Sequence, residues 1–172
     1  GLLVNLIMNK YSDHLPLYRQ EQMFKVRNGV ILSRKTMCDW VWQIAQQLAI
    51  IYEHLREEIR STGYMQVDET PINYQEPGKK RCGKGYLWVY RAANAGVLFE
   101  WYPSRASECL QKMLSTFKGQ LQTDGYNGYE AFYNKAENRA LRTEVERAAC
   151  WAHVRRKFYD AREDHPLAET VL

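Results

Sequence analysis

The hydrophobic period of this chain changes at Tyr64, and that change limits what it can fold into. Upstream, Met37, Trp40, Val41, Ile44, Ala45, Leu48, Ile51, Tyr52 and Leu55 recur at spacings of three and four, the period of one buried helical stripe. Downstream, short runs at 64–67, 86–91 and 97–102 are aromatic and β-branched enough for strands. Helices therefore come first and a sheet follows. The division predicts a helical region over 1–62 and an α/β domain over 63–172. With 172 residues, 45% of them hydrophobic, either part can bury a core.

The helical part reads as three helices. The first covers 2–11. The second starts near Pro16, a residue suited to a first helical turn, and stops at Asn28-Gly29. Ser33 can cap the third. This spacing fits a helix-turn-helix module, with Arg34, Lys35 and Thr36 at the exposed start of the third helix, where a recognition helix meets DNA. An ordinary helical hairpin with solvated basic residues fits the same pattern. Glu53, Glu57 and Glu58 further along confine any DNA contact to the beginning of that helix.

After the three strands, Ser104 or Ser107 caps a helix carrying Leu110, Met113, Leu114 and Phe117, which Gly119 ends. A strand at 120–123 follows, then a short helix near 129–136, a strand at 145–150 and a helix from Trp151. Pro77-Gly78 with Lys79, Lys80 and Arg81 forms a basic loop. Three strands, helix, strand, helix, strand, helix is the ribonuclease H-like order, a mixed sheet with flanking helices. In that order the first and fourth strands are parallel neighbours.

Two aspartates then stand side by side. Asp68 and Asp124 each end a short apolar strand, which holds a carboxylate rigidly and leaves it facing water. Paired carboxylates suit Mg²⁺ or Mn²⁺, which take hard oxygen ligands and keep positions open for phosphate. Asp-Glu-Thr-Pro and Asp-Gly also suit plain turns, and the strand order is what favours the metal reading. Glu69 points to the opposite sheet face and reads as structural.

The helix from Trp151 adds a second constellation. Trp151, Val154, Phe158 and Ala161 read as its packed stripe, and His153, Arg156, Lys157 and Asp160 as another face. His153, Arg155, Arg156 and Lys157 are candidate phosphate contacts; a solvated basic face is the alternative. Trp88, Tyr90, Phe99 and Trp101 read as core and sheet-face packing, and Tyr126 and Tyr129 as packing rather than base stacking. A net charge of +4 permits a nucleic-acid partner. No apolar run reaches the roughly 18 residues of a membrane span. The apolar start reads as a core helix, not a signal peptide. Four scattered cysteines without a Cys-x-x-Cys pair read as reduced thiols.

Six motifs together resemble the transposases of the insertion sequence 66 family. They are Lys10-Tyr-Ser-Asp-His-Leu-Pro-Leu-Tyr-Arg-Gln20, Leu32-Ser-Arg-Lys-Thr36 with Trp40, Val67-Asp-Glu-Thr-Pro71, Gly85-Tyr-Leu-Trp-Val-Tyr90, Leu121-Gln-Thr-Asp-Gly-Tyr126 and Cys150-Trp-Ala-His-Val-Arg-Arg-Lys-Phe158. The resemblance implies a ribonuclease H-like domain with an Asp-Asp-Glu triad, a two-metal site, cleavage of element ends and strand transfer into target DNA. It also implies a homo-oligomer on DNA, no membrane, and a cytoplasmic, nucleoid-associated location. Asp68 and Asp124 fall on the two aspartate positions. The third carboxylate is expected beyond Leu172, since Glu163 and Glu169 follow the His153 helix too closely. An internal, catalytically impaired piece is the expectation. A DNA-binding regulator working through the helix-turn-helix, and a hydrolytic nuclease of the same fold, are the alternatives.

Overall fold

The computed structural model describes residues 1–76 and 78–171. The chain forms two compact units, Gly1–Tyr52 and Glu53–Leu172. The expected turn at Pro77 lies outside the described residues.

In the first unit, α1 (Leu2–Tyr11) and α2 (Leu17–Asn28) precede the first part of α3 (Arg34–Ser61). Gln20 is buried, and its side-chain amide donates to the carbonyls of Leu6 (3.3 Å) and Leu15 (3.1 Å), tying α2 to α1 and its exit turn. Gly29 ends α2 at φ +66°, and the Val30 amide reaches back to the Phe24 carbonyl at 3.1 Å, a left-handed stop that favours glycine. Ser33 caps α3 as its sequence suggests: the Thr36 amide donates to the Ser33 hydroxyl at 3.1 Å.

The second unit holds the last turns of α3 and a five-stranded sheet in the order β3-β2-β1-β4-β5. The strands are β1 (Tyr64–Tyr74), β2 (Gly83–Ala92), β3 (Gly96–Tyr102), β4 (Gly119–Thr123) and β5 (Val145–Ala149). β1, β2 and β3 are antiparallel, while β1–β4 and β4–β5 are parallel. This is the ribonuclease H-like mixed sheet with helices packed on it. One face carries Met65, Val67, Trp88, Tyr90, Leu98 and Leu121, all buried. The crossovers supply Leu110, Met113, Leu114 and Phe117, then Tyr129 and Phe132 from α5 (Asn127–Asn134). Gly119 opens β4 at φ +120°, and a Cβ there would lie 2.2 Å from the Gly63 carbonyl oxygen, so only glycine lets β4 lie beside the start of β1.

Several expectations are corrected. β1 does not stop at Val67: it pairs with β4 only over Tyr64, Met65 and Gln66, but continues against β2 to Tyr74↔Gly83. Asp68 therefore lies within a strand, at the point where its parallel neighbour gives out. The helix after β3 is a 3-10 turn (Ser107–Leu110) followed by the single turn α4 (Gln111–Leu114), with no side-chain cap bond. Phe99 and Trp101 are exposed, because strand alternation turns Leu98 and Glu100 inward instead. On α6 (Trp151–Ala161), Trp151 is 63% exposed and does not join a packed stripe. Among the described residues no helix is long and apolar enough to cross a membrane.

Candidate functional site

The site forms at the carboxyl ends of β1's parallel segment and β4. The register Gln66↔Gln122 leaves Asp68 and Asp124 each two residues further on, beside one another past the end of the ladder. Both line one cavity of about 230 Å³ with Gln66, Gln122, Cys150 and His153. Its polar floor is a chain of bonds: Arg91 donates to Gln66, Gln66 to Gln122 at 2.8 Å, and Tyr64 to Gln122.

Local bonds orient the carboxylates. Asp68 Oδ1 accepts the Glu69 amide at 2.9 Å. Asp124 Oδ1 accepts the Tyr126 amide at 2.9 Å, an Asx turn that fixes the side chain as β4 gives way to α5. In each case Oδ2 has no hydrogen-bond donor among the described residues, and for Asp124 it lies 3.6 Å from Arg105 Nη2. Two hard oxygen donors opening on a shared cavity fit a Mg²⁺- or Mn²⁺-type ion in ligand chemistry. Among the described residues, no group of three or more His, Cys, Asp or Glu side chains is arranged to hold a metal. Glu163 and Glu169 are exposed in the turn after α6 and in the 3-10 segment that follows it.

A second cavity of about 300 Å³ adjoins the first through Asp124 and His153, which line both. Arg105, Gly125, Tyr126, Arg156, Lys157 and Asp160 complete it. The α6 spacing thus turns His153, Arg156, Lys157 and Asp160 into one opening. Arg155 lines neither cavity, being one residue off that face. The Nδ1 atom of His153 is buried without a hydrogen-bond partner among the described residues.

Glu69 faces the opposite side of the sheet, as its register predicts, whereas Arg105 and its pairing with Glu69 are the parts that sequence reasoning missed. The Glu69 side chain is only 1% exposed; Arg105 Nε and Nη2 both meet its Oε1, and the Tyr129 hydroxyl donates to Oε2 at 3.3 Å. Burial pushes the Glu69 carboxyl above the usual carboxylate range; Arg105 opposes this, while Asp124 and Asp68 add to it. Burial pulls the Arg105 guanidinium down, and its bonds to Glu69 more than offset that, leaving it raised. The signal was available: a carboxylate on the inward register of a core strand requires a buried donor. Tyr129 is fully buried and its phenol is pushed well up by burial and by Glu69, in keeping with packing rather than base stacking.

Arg34, Lys35 and Thr36 belong to the other unit, at the first turn of α3. Arg34 is exposed and pairs with Glu21 of α2 at 3.1 Å; Lys35 is exposed; Thr36 bonds Ser33. A cavity of about 610 Å³ also lies in that unit, between α1, α2 and the approach to α3, and no carboxylate lines it.

Comparison with known proteins gives a family. The model described as "Transposase IS66 family" matches residues 1–172. An uncharacterized protein of Sinorhizobium fredii, y4qI, is 32% identical over 167 residues, covering 92% of this chain and 31% of that protein. A second from the same organism, y4jD, is 33% identical over 171 residues, covering 93% and 32%. The chain thus spans about a third of the length of these relatives. Among solved structures, a cryo-EM simian T-cell lymphotropic virus intasome in complex with PP2A regulatory subunit B56 gamma has a chain 17% identical, with TM-score 0.34, covering 60% of this chain and 42% of that one.

Proposed function

We propose, from the premise that this chain belongs to the IS66 family of transposases, that the second unit is the part of a DNA transposase that holds the catalytic metal and the cleaved strand. The observation that carries the reading is the pairing of Asp68 and Asp124 on one cavity at the end of parallel β1 and β4, with the basic α6 face opening beside it. Asp68 and Asp124 are the proposed ligands of Mg²⁺ or Mn²⁺. Metal bound between such carboxylates supplies an activated water or hydroxyl and stabilises the leaving oxygen of a phosphodiester.

The chain's own groups bind and orient. His153, Arg156 and Lys157 face the cavity and hold strand phosphates, Arg by its planar fork and Lys as a point charge. The Tyr126 amide holds Asp124 Oδ1, which leaves Oδ2 without a hydrogen-bond donor among the described residues. End cleavage and strand transfer by the whole protein, and its assembly as an oligomer on paired DNA ends, belong to the same proposal. A third carboxylate is required for full activity. Glu69 does not serve, because it is turned to the core face and engaged by Arg105. Among the described residues no third His, Cys, Asp or Glu joins the pair, so the proposal assigns these residues metal and strand binding.

Calorimetric titration of Mn²⁺ tests the metal site. Binding by the wild type that disappears in Asp68→Asn/Asp124→Asn supports it; binding left unchanged by the double substitution overturns it. The exposed first turn of α3 supports a second reading, in which the helical unit is the DNA-binding module. Arg34→Ala/Lys35→Ala would then abolish DNA retention while leaving Mn²⁺ binding intact.

A further inference from the structure

Arg105 occupies an unusual position for a loop cation. It enters the site after β3, its guanidinium stacks on the Tyr126 ring with Cζ 3.7 Å from the ring centroid, and the Tyr126 hydroxyl donates to the Arg105 carbonyl at 2.9 Å. Its Nε and Nη2 are committed to Glu69, and Nη2 also leans toward Asp124 at 3.6 Å. Side chain and backbone are thus both held. Nη1 has no acceptor among the described residues, although the side chain is 35% exposed and lines the 300 Å³ cavity with His153, Arg156 and Lys157. His153, whose buried Nδ1 has no hydrogen-bond partner among the described residues, lines the same cavity.

We infer that Arg105 is a phosphate contact for the nucleic-acid strand, with Glu69 as the residue that positions it; this rests on the nucleic-acid reading of the same site. A phosphodiester brought beside Asp124 meets a carboxylate of its own sign. A cation fixed 3.6 Å from that carboxylate offsets the repulsion. Arginine suits the task because its planar fork uses one edge for Glu69 and still leaves the two Nη1 protons for a phosphate oxygen. Prior ordering by Glu69 and Tyr126 removes much of the entropy cost of immobilising a long side chain at the moment of binding. Glu69 itself never touches the strand. It acts through Arg105.

The test is fluorescence anisotropy of the 172-residue chain with labelled duplex and single-stranded oligonucleotides, in EDTA, across 50 to 200 mM KCl. Arg105→Gln alone leaves a buried carboxylate unpaired, so Glu69→Gln/Arg105→Gln is the primary variant. Affinity should fall roughly tenfold, as for loss of a hydrogen bond to a charged group. The slope of log K against log salt should become shallower by about 0.9 on duplex or about 0.7 on single strands. Glu69→Gln should weaken binding severalfold with the slope unchanged, because charge stays and orientation is lost; a purely structural Glu69 would not separate the two readouts. Arg105→Lys keeps the ion pair and the fold, and should lose affinity without changing the slope. An unchanged slope in the folded double variant, or wild-type affinity in Arg105→Lys, overturns the inference while leaving the metal-site reading standing. A wild-type chain that binds neither oligonucleotide overturns this inference and the nucleic-acid reading together, whatever its Mn²⁺ titration shows.

Discussion

Replacing Gly119 by alanine tests the joint on which the carboxylate pair depends. Gly119 sits at φ +120°, where an L side chain is strained by about 1–3 kcal/mol. The added Cβ would stand 2.2 Å from the Gly63 carbonyl oxygen, a backbone atom that cannot rotate away. Relief requires β4 to move by about 1 Å, to reach ordinary contact near 3.4 Å. That movement strains two bonds at the strand's start: the Gln120 amide to the Gly63 carbonyl (2.8 Å) and the Gly119 amide to the Glu144 carbonyl (2.9 Å). Each contributes about 0.5–1.5 kcal/mol. The combined loss is therefore about 2–6 kcal/mol, a large share of the roughly 5–15 kcal/mol that holds a domain folded. Urea denaturation followed by far-UV circular dichroism measures it, and the melting temperature should drop by roughly 5–20 °C. The same shift disturbs the Gln66↔Gln122 register, so Mn²⁺ affinity should fall further than stability alone explains. A Gly119→Ala protein within about 0.5 kcal/mol of wild type, the scatter of an ordinary surface substitution, would refute the close-approach argument.

Other expectations are as direct. Arg56 and Glu100 form a buried pair beneath the sheet; Arg56→Met should destabilise by about 3–5 kcal/mol, whereas Arg56→Met/Glu100→Leu should recover most of that loss, as read by denaturant midpoints. Ser33→Ala removes the α3 cap and should lower the stability of the helical unit by about 1 kcal/mol, seen as faster amide exchange at the first turn of α3. Glu130 is held below the ordinary 4.5 by its bonds to Arg147 and Asn134. A depressed folded pKa means its contribution is present above pH 4.5 and is lost as pH falls below it, so Arg147→Gln should flatten the acid limb of a stability–pH profile.

Much of this architecture was legible in the residues, because periodicity survives folding. The stripe from Met37 to Leu55 did form a helix, although Leu48 and Ile51 on it are exposed rather than buried, and the aromatic runs around Trp88 and Leu98 did form strands. The crossover order was readable too, since Asp124 follows a strand that Gly119 opens. What escaped was everything that depends on unequal neighbours. β1 reads as short because the apolar run stops at Val67, yet Thr70, Pro71 and Ile72 stay in the sheet by pairing with β2 alone. Phe99 and Trp101 read as core and sheet-face packing because they are aromatic; they lie on the outer face, Trp101 against Tyr74, while the inward register went to Leu98 and to Glu100, whose charge Arg56 meets. Arg105 was invisible for the same reason. Its role is set by a partner distant in sequence, and no local spacing announces a buried ion pair.

The unequal lengths of β1 and β4 have a consequence for how the second unit exchanges hydrogen with water. Beyond Gln66 no described strand covers the outer edge of β1, although its inner edge stays paired with β2 as far as Tyr74. Successive amides point to opposite edges in a strand. Asp68 thus sits where uniform protection gives way to an alternation, each slowly exchanging amide followed by a fast one. An isotope ladder along β1 would therefore change its rhythm at the carboxylate, marking the end of the parallel ladder residue by residue in solution.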